Sequence, residues 1–69
     1  MKISARNKLT GTITEVTRGA TTSHVRLELG SGQVVTASIT NEAVDELGLK
    51  AGIKATAVIK ASDVMIAVD

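Results

Sequence analysis

The sequence predicts an all-β domain: a five-stranded OB-type barrel with one short helix between strands three and four. Three observations carry that expectation. Five segments are rich in Val, Ile, Thr and Ala, and most of them alternate in polarity with the two-residue period of a strand. One segment, placed after the third of these, carries helix start and stop signals. The 69 residues, with no stretch that reads as a linker, allow a single domain over 1–69.

The first strand is expected over residues 8–18. Leu9, Gly11 and Ile13 share one face, whereas Val16 falls on the other parity. A bulge or strong bend between Ile13 and Val16 reconciles them, and Gly11 permits close backbone approach. Gly19 and Ala20 turn the chain. Residues 22–29 then alternate cleanly, with Val25, Leu27 and Leu29 facing one way and His24, Arg26 and Glu28 the other. Gly30-Ser31-Gly32 is a three-residue hairpin loop. Residues 33–39 return as the third strand, with Val35, Ala37 and Ile39 toward the core.

Thr40-Asn41-Glu42 starts the helix, since Thr40 or Asn41 can cap it and Glu42 suits the positive end of its dipole. Ala43, Val44 and Leu47 cover its apolar side. Gly48 fits the position after the helix, and Leu49 can pack back onto the last turn. Residues 53–60 form the fourth strand, with Ala55, Ala57 and Ile59 on one face. Ala61-Ser62-Asp63 connects it to a fifth strand at 64–68, where Val64, Ile66 and Val68 alternate with Met65 and Ala67. Both faces of the last two strands are rather apolar, so the outer one needs cover, which a neighbouring subunit would supply. Residues 2–6 are too short to fold alone and suit pairing with another chain's edge.

Composition bounds the function. Apolar residues make up 43% and charged residues 22%, with a net charge of +1 and no Phe, Tyr, Trp, Cys or Pro. Disulfides and cysteine-based zinc sites are excluded. Base stacking on aromatics is unavailable, and the balanced charge gives no broad basic patch. The core must come from small aliphatic side chains, and a domain this short without disulfides is expected to self-associate. Lys2, Ser4, Arg6, Asn7 and Lys8 break up the amino end, so no secretory apolar region follows Met1, and no apolar run approaches a membrane span. A soluble cytoplasmic protein without membrane contact is the expectation.

Catalysis fits poorly. His24 is the only histidine and lies in an alternating strand, away from any nucleophile-exposing turn. The seven carboxylates show no metal-loop spacing, so no bare metal cation is expected. Two tripeptides are more informative. Ser4-Ala5-Arg6 and Lys60-Ala61-Ser62 each join a cation to a hydroxyl across an alanine that leaves its backbone N–H accessible. Together they are a donor set suited to an ionised oxyanion. Ordinary surface cations with turn-capping serines fit the same tripeptides.

Ser4-Ala5-Arg6-Asn7-Lys8-Leu9 followed by Gly11-Thr12-Ile13 resembles the opening of the molbindins, small molybdate-binding proteins built on a TOBE or Mop domain. Ile39-Thr40-Asn41-Glu42-Ala43-Val44, Leu47-Gly48-Leu49-Lys50-Ala51-Gly52 and Val58-Ile59-Lys60-Ala61-Ser62-Asp63-Val64-Met65 resemble the middle and end of that family. The resemblance implies a hexamer arranged as a trimer of dimers, no catalysis and no cofactor. It implies molybdate or tungstate bound between subunits, for storage or homeostasis. Ser4, Arg6 and the Ala5 N–H would come from one subunit, and Lys60, Ser62 and backbone donors around Ala61 from its neighbour. A second kind of anion site, with Gly19, Ala20 and His24 as candidates, is also implied. Two other readings keep the fold and change the role: a single-stranded nucleic-acid-binding module, or a bare oligomerisation module.

Overall fold

In the computed structural model, which describes residues 1–69, β1 (Asn7–Arg18), β2 (Thr22–Glu28), β3 (Val34–Thr40), α1 (Asn41–Leu47) and β4 (Lys54–Ile59) follow in order, and a single 3₁₀ turn, Ala61–Asp63, ends the chain's regular structure. The strands form one antiparallel sheet in the order β3-β2-β1-β4. Strand β1 holds it together because it is long enough to serve two partners. Its first half, Asn7 to Thr12, pairs with β4, and its second half, from Thr12 to Arg18, pairs with β2.

The parity break in β1 is a bulge. Ile13 opposes Leu27 and Glu15 opposes Arg26, so Thr14 is the extra residue. Beyond it Val16 faces Val25, and both Ile13 and Val16 pack against the core. Such a bulge bends the strand and sharpens its twist, which curls the sheet around Ile13. Gly11 lies where the two halves of the sheet cross most closely. A Cβ there would run into the Glu28 carbonyl of β2.

The hairpin between β2 and β3 closes as expected, with the Leu29 N–H donating to the Gln33 carbonyl at 3.0 Å. Helix α1 is capped by Thr40, whose hydroxyl accepts from the Ala43 N–H at 3.0 Å. Gly48 ends the helix in the left-handed region at φ 63°, a conformation that suits glycine, and the Leu49 N–H returns to the Val44 carbonyl. The helix start is pinned to the β1–β2 turn by Asn41. Its backbone N–H donates to Thr21, its side-chain N–H to Gly19, and its Oδ1 accepts from the Ser23 hydroxyl. Ser23 is wholly buried, and this bond satisfies it.

The core is Ile13, Val25, Leu27 and Val44. Only five of 69 residues are buried, so most of the chain's large aliphatic side chains remain half-covered or exposed. No helix is long and apolar enough to cross a membrane.

Two expectations need correction. The sheet has four strands, not five, so the barrel is left open along one side. Residues 64–68 form no strand. The reason is the turn before them: the Asp63 N–H donates to Lys60 and the Val64 N–H to Ala61, and the following residues leave the sheet without a partner. Met65, Ile66 and Val68 are 92%, 87% and 92% exposed. Leu47, expected on the core side of α1, is 67% exposed, because Val44 takes the core position and Leu47 overhangs the open side.

Candidate anion-binding site

The register of β1 against β4 decides where the two tripeptides lie. Asn7 pairs with Ile59, and the Asn7 side-chain N–H donates to the Ile59 carbonyl at 3.2 Å. One residue beyond that pair on each strand stands Arg6 or Lys60. Ser4-Ala5-Arg6 therefore leads into β1 where Lys60-Ala61-Ser62 leads out of β4, and a single chain carries both donor sets at one end of its sheet. The resemblance had assigned them to different subunits. Asn7, which had no role in the sequence reading beyond its place in the motif, fastens the two arms together.

These donors are unspent. Ser4, Arg6, Lys60, Ala61 and Ser62 are exposed and Ala5 is half-buried. None of their side chains makes a hydrogen bond or ion pair within the chain. The N–H groups of Ala5 and Ala61 take no part in the turn and cap hydrogen bonds. Arg6 and Lys60 follow the last pair of two adjacent strands, where like charges repel. Lys8, on the pair next to Asn7–Ile59, adds to the positive field. An anion with several acceptor oxygens relieves that repulsion and can take up the guanidinium, ammonium, hydroxyl and amide donors together. The tripeptides line neither the apolar groove between β3 and β4 nor the shallow cleft beside Arg18, so one chain offers an open half-shell.

The cations elsewhere behave differently. Arg18 reaches from the end of β1 to α1 and pairs with Asp45 at 2.9 Å. The hydrogen bond and the charge of Asp45 raise the Arg18 pKa, and those of Arg18 lower the Asp45 pKa below the ordinary carboxylate value. A cation paired in this way is not free to hold an anion.

At the opposite end of β1, the Gly19 N–H already donates to Thr22 at 2.7 Å and its carbonyl accepts from Asn41. Ala20 is exposed in the same turn. His24 is exposed on the outer face of β2, between Thr17 and Ser38 on the flanking strands. Of the three residues expected near a second site, Ala20 and His24 keep uncommitted donors. Sequence reasoning missed Ser23 and Asn41 as the tie beneath this turn. Ser23 shares the inward parity of Val25 and Leu27, and a polar residue on that parity was the available signal.

Comparison with known proteins gives a consistent result. The TOBE domain profile matches residues 3–66. Molybdenum-pterin-binding protein 3 of Clostridium pasteurianum is 47% identical over 66 residues, covering 96% of this chain and 97% of that protein. Molybdenum transport protein ModE of Herbaspirillum seropedicae is 53% identical over 66 residues, and there the match spans 96% of this chain but only 24% of the relative's length. A solved structure of the cytoplasmic molybdate-binding protein ModG with molybdate bound superposes with a TM-score of 0.91 at 51% identity, covering 94% of this chain and 46% of that one.

Proposed function

Since the chain belongs to the TOBE domain family, in its molbindin branch, we propose that it binds molybdate, and tungstate in the same way, between subunits of a homo-oligomer. The single observation that carries this reading is the meeting of Ser4-Ala5-Arg6 and Lys60-Ala61-Ser62 at one end of the sheet, with every donor unspent. The site closes where two such ends meet, Ser4, Arg6 and the Ala5 N–H of one subunit facing Lys60, Ser62 and the Ala61 N–H of another. A hexamer built as a trimer of dimers would repeat that contact.

The chemistry suits the anion. Molybdate at neutral pH is a dianion with four acceptor oxygens and no proton. A shell made only of donors satisfies it, whereas a protonated phosphate oxygen would find no acceptor, a costly state once buried. Sulfate matches molybdate in charge and shape but is smaller, so cavity size alone separates them. The Ala20 and His24 region is the proposed place for a second class of site. Catalysis forms no part of the reading, because the only imidazole lies on the outer face of β2, among strand residues. Storage or buffering of the anion in the cytoplasm is the corresponding role, supported by the relative that is called cytoplasmic.

A ligand held by the folded assembly and not by the unfolded chain raises the unfolding temperature. Molybdate and tungstate are expected to raise it in a concentration-dependent way, with phosphate giving no shift. An equal shift with phosphate contradicts the donor-only site. The nucleic-acid reading predicts instead salt-sensitive binding of single-stranded oligonucleotides, which an anisotropy titration measures directly.

A further inference from the structure

The β1–β2 turn, residues 19–21, is tied from beneath by a single residue. Asn41 takes two of its carbonyls: the side-chain N–H donates to Gly19 at 3.0 Å and the backbone N–H to Thr21 at 2.9 Å. A third bond closes the turn on itself, from the Gly19 N–H to the Thr22 carbonyl at 2.7 Å. The amide of Asn41 is held in one orientation, because its Oδ1 accepts from the hydroxyl of Ser23, the only buried polar side chain. With Oδ1 committed to Ser23, the amide N–H is left for Gly19. A peptide unit is planar and trans, so its C=O and N–H point in opposite directions. Fixing the Gly19 carbonyl against Asn41 therefore fixes the Ala20 N–H on the side away from Asn41. That N–H and the one of Thr21 make no backbone hydrogen bond, and both residues are exposed.

We propose that Asn41 is a positioning residue for the second class of anion site: it holds the Gly19–Ala20 peptide so that the Ala20 N–H faces the anion, and Ser23 acts through it. This rests on the reading of the Ala20 and His24 region as an oxyanion site. Neither Asn41 nor Ser23 touches the anion. Without the Asn41 amide the Gly19–Ala20 peptide is free to turn over. The Gly19 carbonyl then stands where the Ala20 N–H stood, and a donor is replaced by an acceptor. Molybdate, which carries no proton, meets a repelling oxygen there, whereas a protonated phosphate oxygen gains a partner. The tie beneath the turn thus sets which anion the turn prefers as well as the shape of the turn.

The test uses the full chain carrying Arg6→Ala and Lys60→Ala together, so that molybdate bound at the second class of site dominates an isothermal titration. Adding Asn41→Ala is expected to weaken that binding about tenfold, the loss of one hydrogen bond to a charged ligand. Phosphate, titrated in as competitor, is expected to displace molybdate more readily from the Asn41→Ala chain than from its parent. Ser23→Ala lets the Asn41 amide turn over, and is expected to move both readings the same way by a smaller factor. It carries the test alone if Asn41→Ala does not fold. Phosphate that displaces molybdate no more readily overturns the proposal even where molybdate binding has weakened, because a merely loosened turn loses both anions alike. Unchanged molybdate binding overturns it too, and leaves the second site standing. A parent chain that binds no molybdate overturns the second-site reading itself, and the role of Asn41 with it.

Discussion

Replacing either cation at the end of the β1–β4 pair, by Arg6→Ala or Lys60→Ala, is expected to weaken molybdate binding about 10- to 150-fold. A hydrogen bond to a charged group contributes roughly 1.5–3 kcal/mol, and each 1.4 kcal/mol is about tenfold in affinity. Isothermal titration measures the loss. The unliganded fold should survive, because neither side chain is buried or bonded to another residue of the chain. Its stability should even rise slightly, since the substitution removes a repulsion between neighbouring strands. The Arg6→Lys variant separates charge from geometry. It keeps the positive field and loses the planar fork of donors, so it should fall between the native chain and Arg6→Ala. Unchanged affinity in both alanine variants would remove the two tripeptides from the binding account.

The largest effect on stability is expected from Gly11→Ala. The added Cβ would overlap the Glu28 carbonyl and press on the Leu29 Cα, both backbone atoms that cannot swing aside. Overpacking of this kind typically costs about 1–3 kcal/mol, and a domain is stable by only about 5–15 kcal/mol in all. A chain with five buried residues has little reserve to absorb the loss. Urea unfolding should show a clearly lower midpoint for Gly11→Ala. Ser31→Ala, on the exposed hairpin loop, serves as control and should leave the midpoint where it was. Equal midpoints for the two variants would mean that β1 and β2 do not approach as closely as the structure places them.

Much of this fold was legible because its signals are local. The parity of Ile13 against Val16 demanded a bulge, and Thr14 is that bulge. Thr40 and Gly48 bracket the helix with their own chemistry. Residues 64–68 carry the alternation of a strand, yet they form none in this chain. Alternation in residues 64–68 looks the same whether the partner edge belongs to this chain or to another. Leu47 shows a similar limit. Helical spacing places it beside Val44, but a helix of seven residues buries only the side that the sheet reaches.

The candidate site divides in the same way. Each tripeptide could be picked out from residue type and spacing. Their meeting could not, because it depends on the pairing of Asn7 with Ile59 across 52 positions of sequence. Composition contributed by exclusion. A chain without aromatics cannot stack bases, and its small core argues for cover from other subunits.

The central claim is that a homo-oligomer of this chain would hold a tetrahedral dianion in a shell made only of donors. Equilibrium dialysis against molybdate, with elemental analysis of the protein compartment and sulfate as competitor, tests it most directly. The account predicts molybdenum retained in a fixed ratio to subunits and not displaced by an excess of sulfate. Protein that emerges without molybdenum, or that releases it to sulfate at comparable concentration, would contradict it.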